Sequence, residues 1–487
     1  MRKILLIFGL IFPILSFAVT FDVDGLRYNI LSQKDRTVEV AIIPKSLSYP
    51  SYSTYAGDYD IPAKVTFNEI QYDVIGIGQH AFSECYKLGV ITLPNSIKYI
   101  GFGAFSYSNI ASLTLPESVD SIGAAAFRDC HYLTEFTLPK GLRILDTTVF
   151  YGCYDLTKVT ILSPFLTEIP DDTFFKCTSL SDITLPESIT SLGAGAFYYT
   201  SNLSSLNIPN SVNKIGNQCF AASGITSIVI PDEVTELPGA MFSGCSKLKS
   251  IQLPVYLTEL NKNMFSGCHS LETINIPEGL TNIPTNCFRE CWALKEVHFP
   301  SSLKSISDGA FSDCRVLDNI VLPEGFIELG NEVFYNSYIN NIIFPSTLQR
   351  VGGWCFGIGS EMRTLSLPVS LSYIGSCAFS KRNIQEVICM NPVPVECESN
   401  VFKNETYYGT LYVPKGSLDA YQSTKPWSDF FTIIEHNLSG INDITYDIDN
   451  SSVISFYNFS GLVSEKPFRG WNIVKYKNGS VRKIFIE

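Results

Sequence analysis

One phenylalanine returns along this chain at a nearly fixed interval, and that interval limits what the chain can fold into. It stands at positions 82, 105, 127, 150, 174, 197, 220, 242, 265, 288, 311, 334, 356, 379 and 402, in steps of 22, 23 or 24 residues. The residue before it is often Ala, as in Ala81-Phe82 and Ala104-Phe105. A compact domain of 487 residues would exceed the usual size of a single core. A repeat array needs one kind of coil, stacked many times, and a period of this length is the mark of a solenoid.

Two further registers keep the same step. A proline follows the phenylalanines at the same step, from Pro94, Pro116 and Pro139 to Pro392. A short alternating run precedes it, such as Val90-Ile91-Thr92-Leu93 or Ser250-Ile251-Gln252-Leu253. Alternation of this kind reads as a strand, and Pro, having no N–H, ends it. The third register is Ile-Gly or Leu-Gly, as at Ile100-Gly101 and Leu192-Gly193, where glycine permits a tight turn. One coil is therefore a strand, a Pro turn, a Gly turn and a half-helical segment around Ala-Phe. Leu88, Ile91, Leu93, Ile100 and Phe105 are expected to point inward. The predicted fold is a solenoid of about fourteen repeats, its strands stacked at roughly 4.8 Å into one parallel sheet about 65 Å long. That sheet would line the concave face, with the phenylalanines filling the convex side of the core.

The phrase Ile122-Gly123…Ala126-Phe127…Cys130…Leu133…Phe136-Thr137-Leu138-Pro139 resembles the repeat of the BspA-like leucine-rich repeat proteins. The resemblance covers roughly residues 75–400. Departures are small: Met241 and Met264 replace Ala, Ser163-Pro164 replaces Leu-Pro, and some repeats lack the cysteine. The resemblance implies a leucine-rich repeat coil and an exported or surface-held protein that binds other macromolecules.

The ends read differently. Residues 1–18, MRKILLIFGLIFPILSFA, have the charged start, apolar middle and small-residue exit of a secretory signal peptide. Residues 19–74 read as a β cap, 75–408 as the solenoid, 409–437 as a closing segment and 438–487 as a small β tail. Asn478-Gly479 between Trp471–Tyr476 and Val481–Ile486 is a hairpin signal. The last 32 residues resemble C-terminal sorting tails of proteins exported by Gram-negative anaerobes. A plain β-rich cap is the other reading.

Side chains able to do chemistry are few. With a net charge of −12 and charged residues at 17%, the chain lacks the basic face that nucleic acid requires. Eight of fourteen cysteines fall three residues after the repeat phenylalanine, and Ser or Thr stands there in several other coils. Small replacements suggest a packing site with buried free thiols; inter-coil disulfides are the alternative. Cys130-His131 and Cys268-His269 resemble thiol–imidazole pairs, but neighbours in sequence rarely aim at one atom and no third group is evident. Asp22-Val23-Asp24-Gly25 is a fragment of a calcium loop without its later ligands. No metal, cofactor or enzyme activity is expected.

What remains is the outward side of the strands. The central position runs Thr92, Thr114, Thr137, Thr160 and Thr184, then becomes mixed. Repeats ten to twelve place Glu296, His298, Asn319, Val321, Asn341 and Ile343 there, an apolar patch with a polar rim. These six are the candidate binding residues. The expected partner is an extracellular protein, a host matrix or plasma component, met by a secreted or surface-held monomer with no membrane span in its mature form. Glycan binding and a spacer role are the alternatives; the former would call for clustered exposed aromatics.

Overall fold

The computed structural model describes residues 19–46, 49–358, 362–380 and 384–436, and four later strands between 453 and 486. The predicted signal peptide and residues 437–452 lie outside the described residues. The chain forms two compact units, one comprising residues up to 156 together with 160–166, the other 157–159 with 167 onward. Both are stacks of parallel coils, numbered here 1 to 15 by their core phenylalanine.

Each coil contributes to more than the single expected sheet. In the second unit, strands ahead of the prolines pair in parallel, for example Thr273–Asn275 with Glu296–His298 and Asn319–Val321 with Asn341–Ile343. A second ladder is made of two-residue strands just before the Gly turn. Six of these pair in order from Asn282–Ile283 to Glu396–Cys397. The first unit has the same second ladder, through Tyr99–Ile100, Ser121–Ile122 and Ile144–Leu145.

The segment around Ala-Phe is not helical, which corrects the sequence expectation. The residue two before the phenylalanine has a positive φ in every coil, from His80 at 53° to Asn400 at 55°. A right-handed helix cannot contain a left-handed residue at this point in every coil. Every second N–H instead points along the stack. Asn286, Phe288 and Glu290 donate to the carbonyls of Asp308, Ala310 and Ser312 in the next coil, at 3.1, 2.8 and 2.8 Å. Between them, Cys287 and Arg289 N–H close turns onto Pro284 and Asn286 of their own coil, both at 3.2 Å. Thus a stretch that looks helical by composition satisfies its backbone as a third inter-coil ladder.

The core follows from this geometry. The phenylalanines stack ring on ring, at 5.2 and 5.4 Å for Phe82–Phe105–Phe127 and 5.3 and 5.1 Å for Phe265–Phe288–Phe311. Leu88, Ile91, Ile100 and Phe105 are buried as expected, while Leu93 is half-buried. Hydroxyls in the turn after proline also tie coils together. Ser118, Ser211, Ser302 and Ser370 each donate to a carbonyl of the preceding coil, 2.6–2.8 Å away. The acid beside them is structural too: Glu278 accepts from the Ser301 N–H at 3.1 Å and its hydroxyl at 3.0 Å.

Both solenoid ends are covered. In the first unit, Ala56–Asp60 pairs with Lys87–Thr92, the Ser53 N–H meets the Ser83 carbonyl at 2.9 Å, and the Tyr55 ring packs 4.8 Å from Phe82. In the second, Thr410–Pro414 and Thr432–His436 extend the strand ladder. Trp427 is fully buried there, and its indole N–H donates to Val395 at 2.9 Å. The last strands form an antiparallel sheet in which Gly470–Tyr476 pairs with Val481–Ile486; the predicted Asn478-Gly479 turn lies outside the described residues.

Candidate binding surface

The cysteine column lies inside the coil. Cys130, Cys153, Cys245, Cys268, Cys291 and Cys314 are free thiols, fully buried. Each donates to the carbonyl of the phenylalanine one coil earlier, at 3.1, 3.1, 2.9, 3.2, 3.3 and 3.2 Å respectively. Ser337 makes the same bond to Phe311 at 2.7 Å, so serine and cysteine interchange as donors of similar size. Burial disfavours the thiolate, pushing Cys130 up to about 12 and Cys245 up to about 11. These thiols are poor nucleophiles and poor metal ligands. Among the described residues no group of three or more His, Cys, Asp or Glu is placed to hold a metal.

The other sequence candidates for chemistry come apart in the same way. Cys268 points into the core, whereas the ring of the adjacent His269 lies against Trp292. Asp22 accepts from the Arg27 guanidinium at 2.8 Å, a bond that holds its carboxyl below the usual range, and Gly25 with φ 79° makes the hairpin turn between them. That calcium-loop fragment is a strand connection.

The six strand-face residues are distributed over two ladders. Glu296 and His298 are exposed on either side of half-buried Val297, and the imidazole Nε2 lies 3.5 Å from the Glu296 carboxylate. Register sets Asn319 beside Asn341 and Val321 beside Ile343. Val321 is 42% exposed and Ile343 half-buried; the Asn341 side chain lies outside the described residues. The strands Glu296–His298 and Asn319–Val321 belong to separate two-stranded sheets.

One column escaped the sequence reading. The residue following the cysteine position, where the coil turns toward its strand, is His269, Trp292, Arg315 and Tyr338 in coils 9 to 12. The His269 and Trp292 rings are stacked at 3.7 Å and 6°. The Arg315 guanidinium covers Trp292 at 5.0 Å. Trp292 is 38% exposed and Tyr338 46%. The signal was available: aligning the repeats on their cysteine and reading one residue further gives the column. Attention to the strands alone passes over it.

A parallel solenoid with a hydrophobic ladder inside and an adaptable exterior is the architecture of a repeat protein. The family described as BspA type leucine rich repeat region matches residues 62–174, 167–295 and 281–408, more than half the chain, and the chain belongs to it. A leucine-rich repeat protein from Bacteroides ovatus is 27% identical, with 73% of this chain and 94% of that chain aligned and a TM-score of 0.59. A leucine rich cell surface protein from Faecalibacterium prausnitzii is 20% identical over 82% of this chain and 97% of that one, with a TM-score of 0.44. The pneumococcal vaccine antigen PcpA is 20% identical over 86% and 99%, with a TM-score of 0.46. A search of curated proteins finds no match.

Proposed function

We propose that this chain is an exported or cell-surface recognition protein that binds an extracellular protein, in adhesion, through the outward side of coils 10 to 12. One observation carries the reading: scaffold and surface are separate sets of residues. Phenylalanines, thiols, turn serines and post-proline acids build the coil, whereas Glu296, His298, Asn319 and Val321 face outward. Such positions can change to suit a partner without disturbing the stack. Membership of a repeat family supports the same reading, as does the signal-like start of the sequence. Among the described residues no helix is long and apolar enough to cross a membrane.

The test is binding of the chain without residues 1–18 to immobilised extracellular-matrix and plasma proteins. A variant carrying Glu296→Lys and Val321→Glu serves as the control. Saturable binding that the variant loses supports the reading. Binding to no protein in the panel contradicts it, and binding equal in both chains removes the strand face.

A further inference from the structure

The corner column of coils 9 to 12 lies three or four residues ahead of the strands of those coils. We propose that His269, Trp292, Arg315 and Tyr338 form a preorganised docking ridge for a protein segment presenting a carboxylate beside an apolar side chain. The proposal rests on the protein-binding reading above and names a face and a partner chemistry for it.

The solenoid does not require these side chains. At the same position coils 1, 3 and 4 carry Tyr86, His131 and Tyr154, the last two stacked at 4.9 Å, but other coils carry Asn109, Thr178, Ser201, Gly224 and Ser246. Where bonds form there, they serve the stack: Asn109 Nδ2 donates to the Tyr86 carbonyl at 2.8 Å, and the Ser201 hydroxyl to the Thr178 carbonyl at 3.3 Å. Coils 9 to 12 set four large side chains in succession, an imidazole, an indole, a guanidinium and a phenol, and bring in the column's Trp and Arg. Trp, Tyr and Arg are the residue types that dominate protein-binding hot spots.

The arrangement also says what would fit. Both faces of the Trp292 ring are occupied, by His269 at 3.7 Å and Arg315 at 5.0 Å, leaving its edge outward. A sugar ring stacks on an aromatic face, and Trp292 offers its edge. The polar groups on the ridge are donors. Among the described residues neither the Trp292 indole N–H nor the Tyr338 hydroxyl has a hydrogen-bond partner. The Arg315 ion pair with Asp313 is long, 4.0 Å, and the Arg315 side chain is 52% exposed. A carboxylate is the acceptor that matches a guanidinium beside an indole N–H. Val316, 46% exposed and next along the chain, supplies an apolar contact. Because the rings are already stacked, little side-chain freedom is lost on binding.

The experiment selects peptides from a phage library of random dodecapeptides on the full chain. It then compares the enriched pool on Trp292→Ser, Arg315→Ser and the triple variant that adds Tyr338→Ser. Serine is what Ser201 and Ser246 already supply elsewhere, so the variants should fold, and their melting curves check this. The expected result is a pool rich in Asp or Glu beside an aromatic or aliphatic residue. Its binding should fall by about 30-fold or more with either single substitution, as for a hot-spot residue. No enrichment over the triple variant, or a pool that binds the triple variant equally, overturns the proposal. So does loss of binding to an arrayed neutral glycan on the same substitutions. If the matrix and plasma panel binds and only the strand-face variant loses it, the broader reading stands and this one falls.

Discussion

Two columns of side chains run side by side through coils 9 to 12, one residue apart in sequence, and obey different rules. The inner one, Cys268, Cys291, Cys314 and Ser337, is fixed by a donor's duty to the phenylalanine carbonyl of the coil before. Its permitted residues are small donors. Among the described residues the outer one, His269, Trp292, Arg315 and Tyr338, bonds no carbonyl of the array through its side chains, and its chemistry ranges over four side-chain types. A solenoid separates stability from recognition at the scale of a single residue, because the chain turns between the two positions. Change in the inner column should appear in unfolding, and change in the outer column in binding.

The largest effect should come from the core beneath both columns. Phe288→Ala removes a ring stacked between Phe265 and Phe311 and should cost about 3–5 kcal/mol in urea unfolding. A cost below about 1 kcal/mol would mean that the ring column contributes little to the stack.

Alkaline pH should come next. The folded state raises the thiol pKa of Cys130 to about 12 and of Cys245 to about 11, against a usual value near 9. Their stabilising contribution is complete below about pH 9 and is lost as pH rises toward those folded values. Each buried thiol should then lower stability by up to about 1.4 kcal/mol per pH unit above 9. Urea midpoints measured from pH 8 to 10.5 should fall, and the Cys130→Ser variant should fall less steeply. A flat profile would contradict the burial of neutral thiols. In native protein at pH 8, Ellman's reagent should find the half-exposed Cys377 and leave the fully buried thiols unmodified until unfolding.

A smaller effect distinguishes donor from filler. Cys268→Ser keeps a donor for the Phe242 carbonyl and Cys268→Ala does not. The alanine variant should be the less stable by about 1 kcal/mol. Equal stability would make the column a matter of volume alone. Smallest of all, Trp292→Ser should shift unfolding by less than about 0.5 kcal/mol, as a surface change away from core and caps.

Much of the fold was legible because a periodic sequence repeats its own evidence. Phe, Pro and Gly each held their register, and both the strands and the inward residues followed from it. The Ala-Phe segment misled because Ala, Phe, Asp and Tyr describe a helix as well as a chain of turns. Only the backbone shows that Thr148, Asn286 and Trp354, none of them glycine, are held at φ between 54° and 57°. Composition could not reveal a ladder that depends on left-handed residues such as these. The surface was legible only in part. The strand positions of Glu296 and His298 follow from alternation, but the proximity of His269 to Trp292 depends on where a turn aims its side chains. The cysteines were read as packing residues, and the structure adds the reason that Ser337 can stand in for one.

Coils 9 to 12 thus set recognition and stability at adjacent positions. The most direct test is to measure, on one preparation of the Trp292→Ser variant, both the urea unfolding curve and binding to the peptides selected on the native chain. The expected result is an unfolding curve that overlays the native one and binding weakened by about 30-fold or more. Unchanged binding, or an unfolding midpoint displaced as far as that of Cys268→Ala, would contradict it.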